Sequence, residues 1–351
     1  MPPVCTQEIR QFVKVDMKNK VMIIAEAGVN HNGSMELARK LVDAAAEAGV
    51  DMVKFQTFKA EKLVTIDAEQ AEYQQKNTGK SESQYAMLKR LELSEHDHEE
   101  LIAYCQQKGI RFFSTAFDME SLDYLRSLNL GIWKIPSGEI TNYPYLKKIA
   151  SYGEPVILSS GMCSMDDIQA ALDVLTSSGL SKDDIALLHC NTEYPTPWDD
   201  VNLKAMPALG EHFGVKFGYS DHTVGIEVPI AATALGATII EKHFTLDKTL
   251  PGPDHRASLE PDELAAMVKA IRHIEQALGS SQKDVTPSEQ KNMQVARKSI
   301  VAAKDICRGD ILLEDCLAVM RPGTGISPML WNEVVGSVAT RDYKKGECIE
   351  R

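Results

Sequence analysis

The 351-residue sequence predicts an α/β chain in which a (β/α)8 TIM barrel over residues 19–278 is followed by a small, mostly β domain over residues 297–351. Three observations carry that prediction. Short apolar runs alternate with longer stretches of helical period from residue 21 onward, the runs number eight, and the texture changes after about residue 296. Eight strand-then-helix units are what a parallel barrel wrapped by helices requires. A doubly wound open sheet is the structural alternative.

The runs, in order, are VMIIAE (21–26), DMVKFQT (51–57), RFFSTAF (111–117), GIWKIPS (131–137), EPVILSS (154–160), DIALLHC (184–190), VKFGYS (215–220) and ATIIEKH (237–243). In the first intervening stretch, MELARKLVDAAAEAG, the residues Leu37, Leu41, Val42 and Ala45 share one helical face, and Gly49 stands where the helix would stop. EHDHEELIAYCQQKG, MESLDYLRSLNLG, MDDIQAALDVLTSSG and PDELAAMVKAIRHIEQALG repeat the pattern, each ending near a glycine. Residues 279–296, GSSQKDVTPSEQKNMQVA, are polar and rich in turn formers and read as a linker. Beyond them, β-prone pieces are separated by Arg-Gly-Asp, Pro-Gly-Thr-Gly and Lys-Lys-Gly-Glu, with no long amphipathic helix. Residues 1–18 fit no unit of the pattern and read as an N-terminal extension.

Hydrophobic content of 44% with 25% charged residues is ordinary for a globular protein. The net charge of −12 argues against nucleic-acid or acidic-membrane partners, because the summed field repels a polyanion. An anionic substrate therefore needs its own local lysines or arginines. Seven scattered cysteines without a C-x-x-C pair read as reduced thiols of a cytoplasmic protein rather than a disulfide framework or zinc site. No apolar stretch reaches the length of a membrane span, and the N-terminus lacks the plan of a signal peptide.

In a barrel of this kind the chemistry sits at the C-terminal ends of the strands. Every run here ends in polar residues: Glu26; Lys54 and Gln56; Ser114 and Thr115; Lys134 and Ser137; Ser159 and Ser160; Asn191 and Thr192; Ser220, Asp221 and His222; Glu241 and His243. Side chains two apart on a strand share a face. Lys54 with Gln56, Ser220 with His222, and Glu241 with His243 are thus expected at the barrel mouth, while Val53, Phe55, Lys242 and Phe244 turn to the helix layer.

His222 and His243 end consecutive strands, which in a barrel lie about 4.8 Å apart. A lone histidine at a strand end is more often structural; an inward pair on neighbouring strands points to a shared metal. Two protein ligands are few for zinc, so a harder ion, Mn2+ first with Mg2+ and Co2+ as alternatives, fits better, completed by water and substrate oxygens. Lys54 and Lys134, ringed by Thr115, Ser137, Ser159 and Ser220, read as a phosphate site, with pairing to Glu26 or Glu241 as the bland alternative. Glu26 is a candidate general acid or base. The loop LPGPDHRAS hangs Asp254, His255 and Arg256 over the mouth.

The motifs IIAEAGVNHNG, KFQTFKAEKLVT, FFSTAFD, IPSGEI, ILSSGM, CNTEYPTP, GYSDHTVG, IEKHFTLDKTLPGPDHRASLEPDEL and MRPGTGIS occur in this order. Together they make the chain, from about residue 20 to its end, resemble the bacterial sialic acid synthase family. The resemblance implies condensation of phosphoenolpyruvate with N-acetylmannosamine to N-acetylneuraminate and phosphate. Its nearest rival is the same chemistry on a 2,4-diacetamido-2,4,6-trideoxyhexose, giving legionaminic or pseudaminic acid. It implies a barrel followed by an antifreeze-like (SAF) domain, and a homodimer in which each tail is swapped over the partner's active site. Carried over motif by motif, phosphoenolpyruvate would meet Lys54, Thr115, Lys134, Ser137, Ser159 and Ser220, with Asn191 or Thr192 at strand six. His222 and His243 would hold the metal, and Glu26 and Glu139 would manage protons. The sugar would meet Gln56, Tyr194 and Asp254, with Arg321 arriving from the other subunit. The Cys-Asn-Thr-Glu-Tyr of strand six and the N-terminal extension depart from the family's pattern.

Overall fold

The computed structural model describes residues 20–78 and 82–350, so the extension read at residues 1–18 lies outside the described residues. The chain divides after Gly279 into two compact units.

The first unit is built on eight strands: β1 (Met22–Gly28), β2 (Met52–Thr57), β3 (Arg111–Ala116), β4 (Trp133–Ile135), β5 (Val156–Ser159), β6 (Ile185–His189), β7 (Lys216–Asp221) and β8 (Ile239–His243). All pairings are parallel, in the order β3-β2-β1-β8-β7-β6-β5-β4. The two ends of that order, β3 and β4, lie against each other, so the sheet curls into a nearly closed barrel and the open-sheet alternative falls away.

Each run foreseen from the sequence holds a strand, and the differences lie at the ends. β4 keeps only three residues because Pro136 has no N–H to continue the ladder. β1 runs two residues further, to Gly28, across a register shift between Glu26 and Gly28. Gly28 has φ +51, and a Cβ there would meet Glu26 Oε1 at 3.2 Å and Gln56 Nε2 at 3.3 Å, so only glycine leaves both side chains their places.

Helices cover the outside. Met35–Ala48 buries Leu41, Val42 and Ala45 against β1 and β2, is capped by Ser34, and ends at Gly49 in the left-handed region. Glu95–Lys108 starts from a Ser94–Asp97 capping box and also ends on a left-handed glycine, Gly109. Between β2 and that helix the structure adds three short helices, Ala60–Leu63, Glu72–Thr78 and Gln84–Leu91, which the sequence did not announce.

The second unit, expected as small and made mostly of β and loop, is small and carries a two-stranded sheet among loops and short helices. Strands β9 (Ser299–Ala302) and β10 (Leu317–Met320) pair antiparallel over a core of Ile300, Leu312, Leu317, Val334, Tyr343 and Ile349. Within the stretch read as a linker, 279–296, Pro287–Ala296 is a helix, started by a Thr286–Glu289 capping box with proline in its first turn.

Candidate active site

Strand alternation sorts the barrel interior into two layers. Met22, Ile24, Met52, Phe113, Ile132, Ile157, Leu188 and Ile239 form an apolar plug. One step further along the same strands stand Glu26, Lys54, Thr115, Lys134, Ser159 and Glu241, all buried. The neighbouring face of the sheet packs the helices, and Val53, Phe55 and Phe244 belong to that outer core, as expected. Lys242 turns outward too, fully buried against Asp221 at 2.5 Å.

The polar layer is a connected charge network. Lys54 Nζ lies 2.8 Å from Glu26 and 3.5 Å from Glu241, and Lys134 Nζ lies 3.4 Å from Glu241. Lys54 also donates to Thr115 Oγ1 (3.1 Å), Lys134 to Ser159 Oγ (2.6 Å) and Ser220 Oγ to Glu241 (3.0 Å). Both readings of the lysines therefore hold together: they stand among hydroxyls, and each faces a carboxylate. Burial alone would raise the Glu241 carboxyl, but the Lys134 and Lys54 ammonium groups hold it down at about 2. At Glu26 burial outweighs Lys54 and raises the carboxyl above its ordinary range. Glu26 Oε1 accepts from Gln56 Nε2 at 3.2 Å.

His222 and His243 stand beside this network, ring centroids 5.3 Å apart. Burial pushes His222 down to about 4, and burial with the neighbouring His222 pushes His243 well below 6.5. Neutral imidazole is the metal-binding form. His222 Nδ1 donates to the Asn191 carbonyl, which fixes the tautomer and leaves the Nε2 lone pair uncommitted. His243 Nδ1 is buried without a hydrogen-bond partner, 3.9 Å from Asp254 Oδ2. Two neutral rings, one nitrogen of each uncommitted, fit a divalent cation that takes its remaining ligands from water and substrate. Among the described residues no three His, Cys, Asp or Glu side chains form a closed metal cage.

A single cavity of about 440 Å3 joins these groups: it is lined by Glu26, Lys54, Gln56, Thr115, Lys134, Ser137, Ser159, Thr192, Tyr194, Ser220, His222, His243 and Asp254. Burial and the Glu26 carboxylate push the Asp254 carboxyl up to about 7. Two expected side chains, those of Asn191 and Glu139, do not line this cavity. Asn191 spends its side chain on a turn, accepting from Glu193 N at 2.7 Å, and serves the site through its carbonyl, so Thr192 is the side chain that reaches the cavity. Glu139 lines an adjoining cavity with Asp118 and Asn142, its carboxylate accepting from Asn142 at 2.6 Å. Arg321 belongs to the second unit, where its Nε donates to the Ala296 carbonyl.

The sequence reading missed Tyr73 and left Glu241 without a role of its own. Tyr73 stacks on Tyr194 at 5.1 Å, and Tyr194 on His222 at 4.0 Å, a column of rings that ends on the candidate metal ligand. A lone aromatic in the polar stretch AEYQQKN was the only sign of it.

Lysines, hydroxyls, carboxylates and paired imidazoles thus converge at the end of the barrel where (β/α)8 enzymes carry their chemistry. Residues 41–283 match the NeuB family and residues 297–350 a SAF domain, and the chain belongs to the NeuB family of synthases. It is 52% identical over 330 residues to the N,N'-diacetyllegionaminic acid synthase of Campylobacter jejuni, spanning 94% of this chain and 99% of that protein. With the N,N'-diacetyllegionaminic acid synthase of Legionella pneumophila it shares 49% identity over 93% of this chain and 92% of that one. The crystal structure of the N-acetylneuraminic acid synthetase from Leptospira borgpetersenii, in complex with citrate, superposes with a TM-score of 0.68 at 36% identity, covering 78% of this chain and 90% of that one.

Proposed function

We propose that this protein is a metal-dependent synthase condensing phosphoenolpyruvate with a 2,4-diacetamido-2,4,6-trideoxyhexose and water to N,N'-diacetyllegionaminic acid and phosphate. The observation that carries the reading is one cavity joining the lysine–hydroxyl layer to two neutral imidazoles. The choice of sugar rests on relatives: the expectation from sequence put N-acetylmannosamine first, and the names of the 52% and 49% identical relatives favour the diacetamido sugar instead.

Lys54 and Lys134 hold the phosphate and carboxylate, with Thr115, Ser137, Ser159, Thr192 and Ser220 donating hydroxyl hydrogen bonds. Glu26 and Glu241 already offset the two lysines. An arriving trianion therefore favours protonation of whichever carboxylate binds its proton more tightly, and that is Glu26. His222 and His243 would hold the divalent cation, Mn2+ by ligand type, which when bound polarises the aldehyde of the open-chain sugar. As C3 of phosphoenolpyruvate bonds to the aldehyde carbon, C2 becomes cationic beside the ionised Glu241 carboxylate, which stabilises it. Glu26 gives its proton to the oxygen of the former aldehyde and, thus ionised, takes one from the water that adds at C2. Phosphate then leaves with the bridging oxygen and the C2 hydroxyl proton as the C2 carbonyl forms.

The test is phosphate release from phosphoenolpyruvate with a panel of acylated hexoses, in Mn2+ or EDTA. Release is expected with the diacetamido sugar and metal together. Release with N-acetylmannosamine alone would shift the reading to a sialic acid synthase, and no metal-dependent release with any sugar would sink it.

A further inference from the structure

The mouth cavity has two walls of opposite character. One is the charged layer around Lys54 and His243. The other comes from residues 58–78 and 82–94, whose short helices bring Leu63, Met87, Leu88 and Leu91 onto Val29 and Phe58 in one apolar cluster that lines the same cavity. A phosphate or carboxylate gains nothing against such a wall, because it would lose water without finding a donor. Phosphoenolpyruvate is thereby confined to the charged side. A fully hydroxylated hexose is poorly served too, since each hydroxyl turned to the wall loses a hydrogen bond to water and gains none.

The geometry points to a specificity subsite on this wall for the deoxygenated end of the acceptor: the C6 methyl and the methyl of its second acetamido group. The inference rests on the functional reading above and assigns it a discriminating surface. Burying a methyl against leucine and methionine is favourable where a hydroxymethyl is not. The same segment adds Tyr73, Gln74 and Gln84 to the cavity, phenol and amide groups of the kind that pair an acetamido N–H and C=O. Leu63 and Val64 are half-buried at the cavity edge, so a near-isosteric polar change there alters chemistry more than packing.

Leu63→Asn and Val64→Thr test this, by comparing kcat/KM for the diacetamido sugar and for N-acetylmannosamine, together with the KM for phosphoenolpyruvate. Leu63→Asn is expected to lower the ratio of diacetamido sugar to N-acetylmannosamine about tenfold, with the phosphoenolpyruvate KM unmoved. Val64→Thr should move the ratio the same way by less, and decides the matter if the first variant does not fold. Turnover of the diacetamido sugar with an unmoved ratio in the folded variants overturns the subsite alone. No turnover of that sugar by the unaltered enzyme overturns the functional reading and the subsite with it.

Discussion

At the scale of single residues, the site depends on what burial does to charge. His222 and His243 are neutral because a protonated imidazole there would lose its water beside Lys54 and Lys134. His222→Gln and His243→Gln should each reduce metal-dependent phosphate release by about 100-fold or more. Titration with Mn2+, read by electron paramagnetic resonance, should show tight binding lost in both; tight binding kept in either would remove that histidine as a ligand. The lysines, the serines and this pair were legible because two-residue alternation assigns a face. Asn191 and Glu139 fall outside that rule because both follow the strand end, where a turn, not the pleat, sets direction.

Among the elements, β7 and β8 set the candidate metal pair, and a buried ion pair ties them together behind it. Lys242 Nζ meets Asp221 Oδ2 at 2.5 Å and also donates to the Thr223 carbonyl, with both charged side chains fully buried. Removing one partner strands the other charge. Asp221→Ala should therefore cost about 3–5 kcal/mol of stability, measured by urea unfolding, and Asp221→Leu with Lys242→Met should recover most of it. A loss below about 1 kcal/mol would mean that the pair contributes little. At this scale the eight strands and long helices were readable, since each repeats a period of two or 3.6 residues over enough length. The helices Ala60–Leu63, Glu72–Thr78 and Gln84–Leu91 were not, because a stretch of one or two turns shows no period. Pro287–Ala296 was hidden by its polar composition, although Thr-Pro-Ser-Glu is a helix-start signal.

For the whole molecule, buried neutral histidines link stability to pH. Burial pushes His31, like His222, from 6.5 down to about 4. Between those values the unfolded chain binds protons that the folded one refuses. Stability should fall as pH drops from 6.5 towards 4, by up to about 1.4 kcal/mol per pH unit for each histidine. His31→Asn should flatten that slope in urea unfolding; an unchanged slope would mean that His31 is protonated in place. The subunit arrangement belongs to the same scale. We propose a homodimer in which Arg321 of the SAF domain reaches the neighbouring subunit's sugar, so Arg321→Ala should raise the KM for the sugar and leave that for phosphoenolpyruvate nearly unchanged. Equal effects on both would count against it. The most direct test of the account follows the bridging oxygen of phosphoenolpyruvate, labelled with 18O, during turnover of the diacetamido sugar with Mn2+. Water attack at C2 with C–O cleavage predicts the label in the released phosphate; label retained in the nine-carbon sugar product would contradict it.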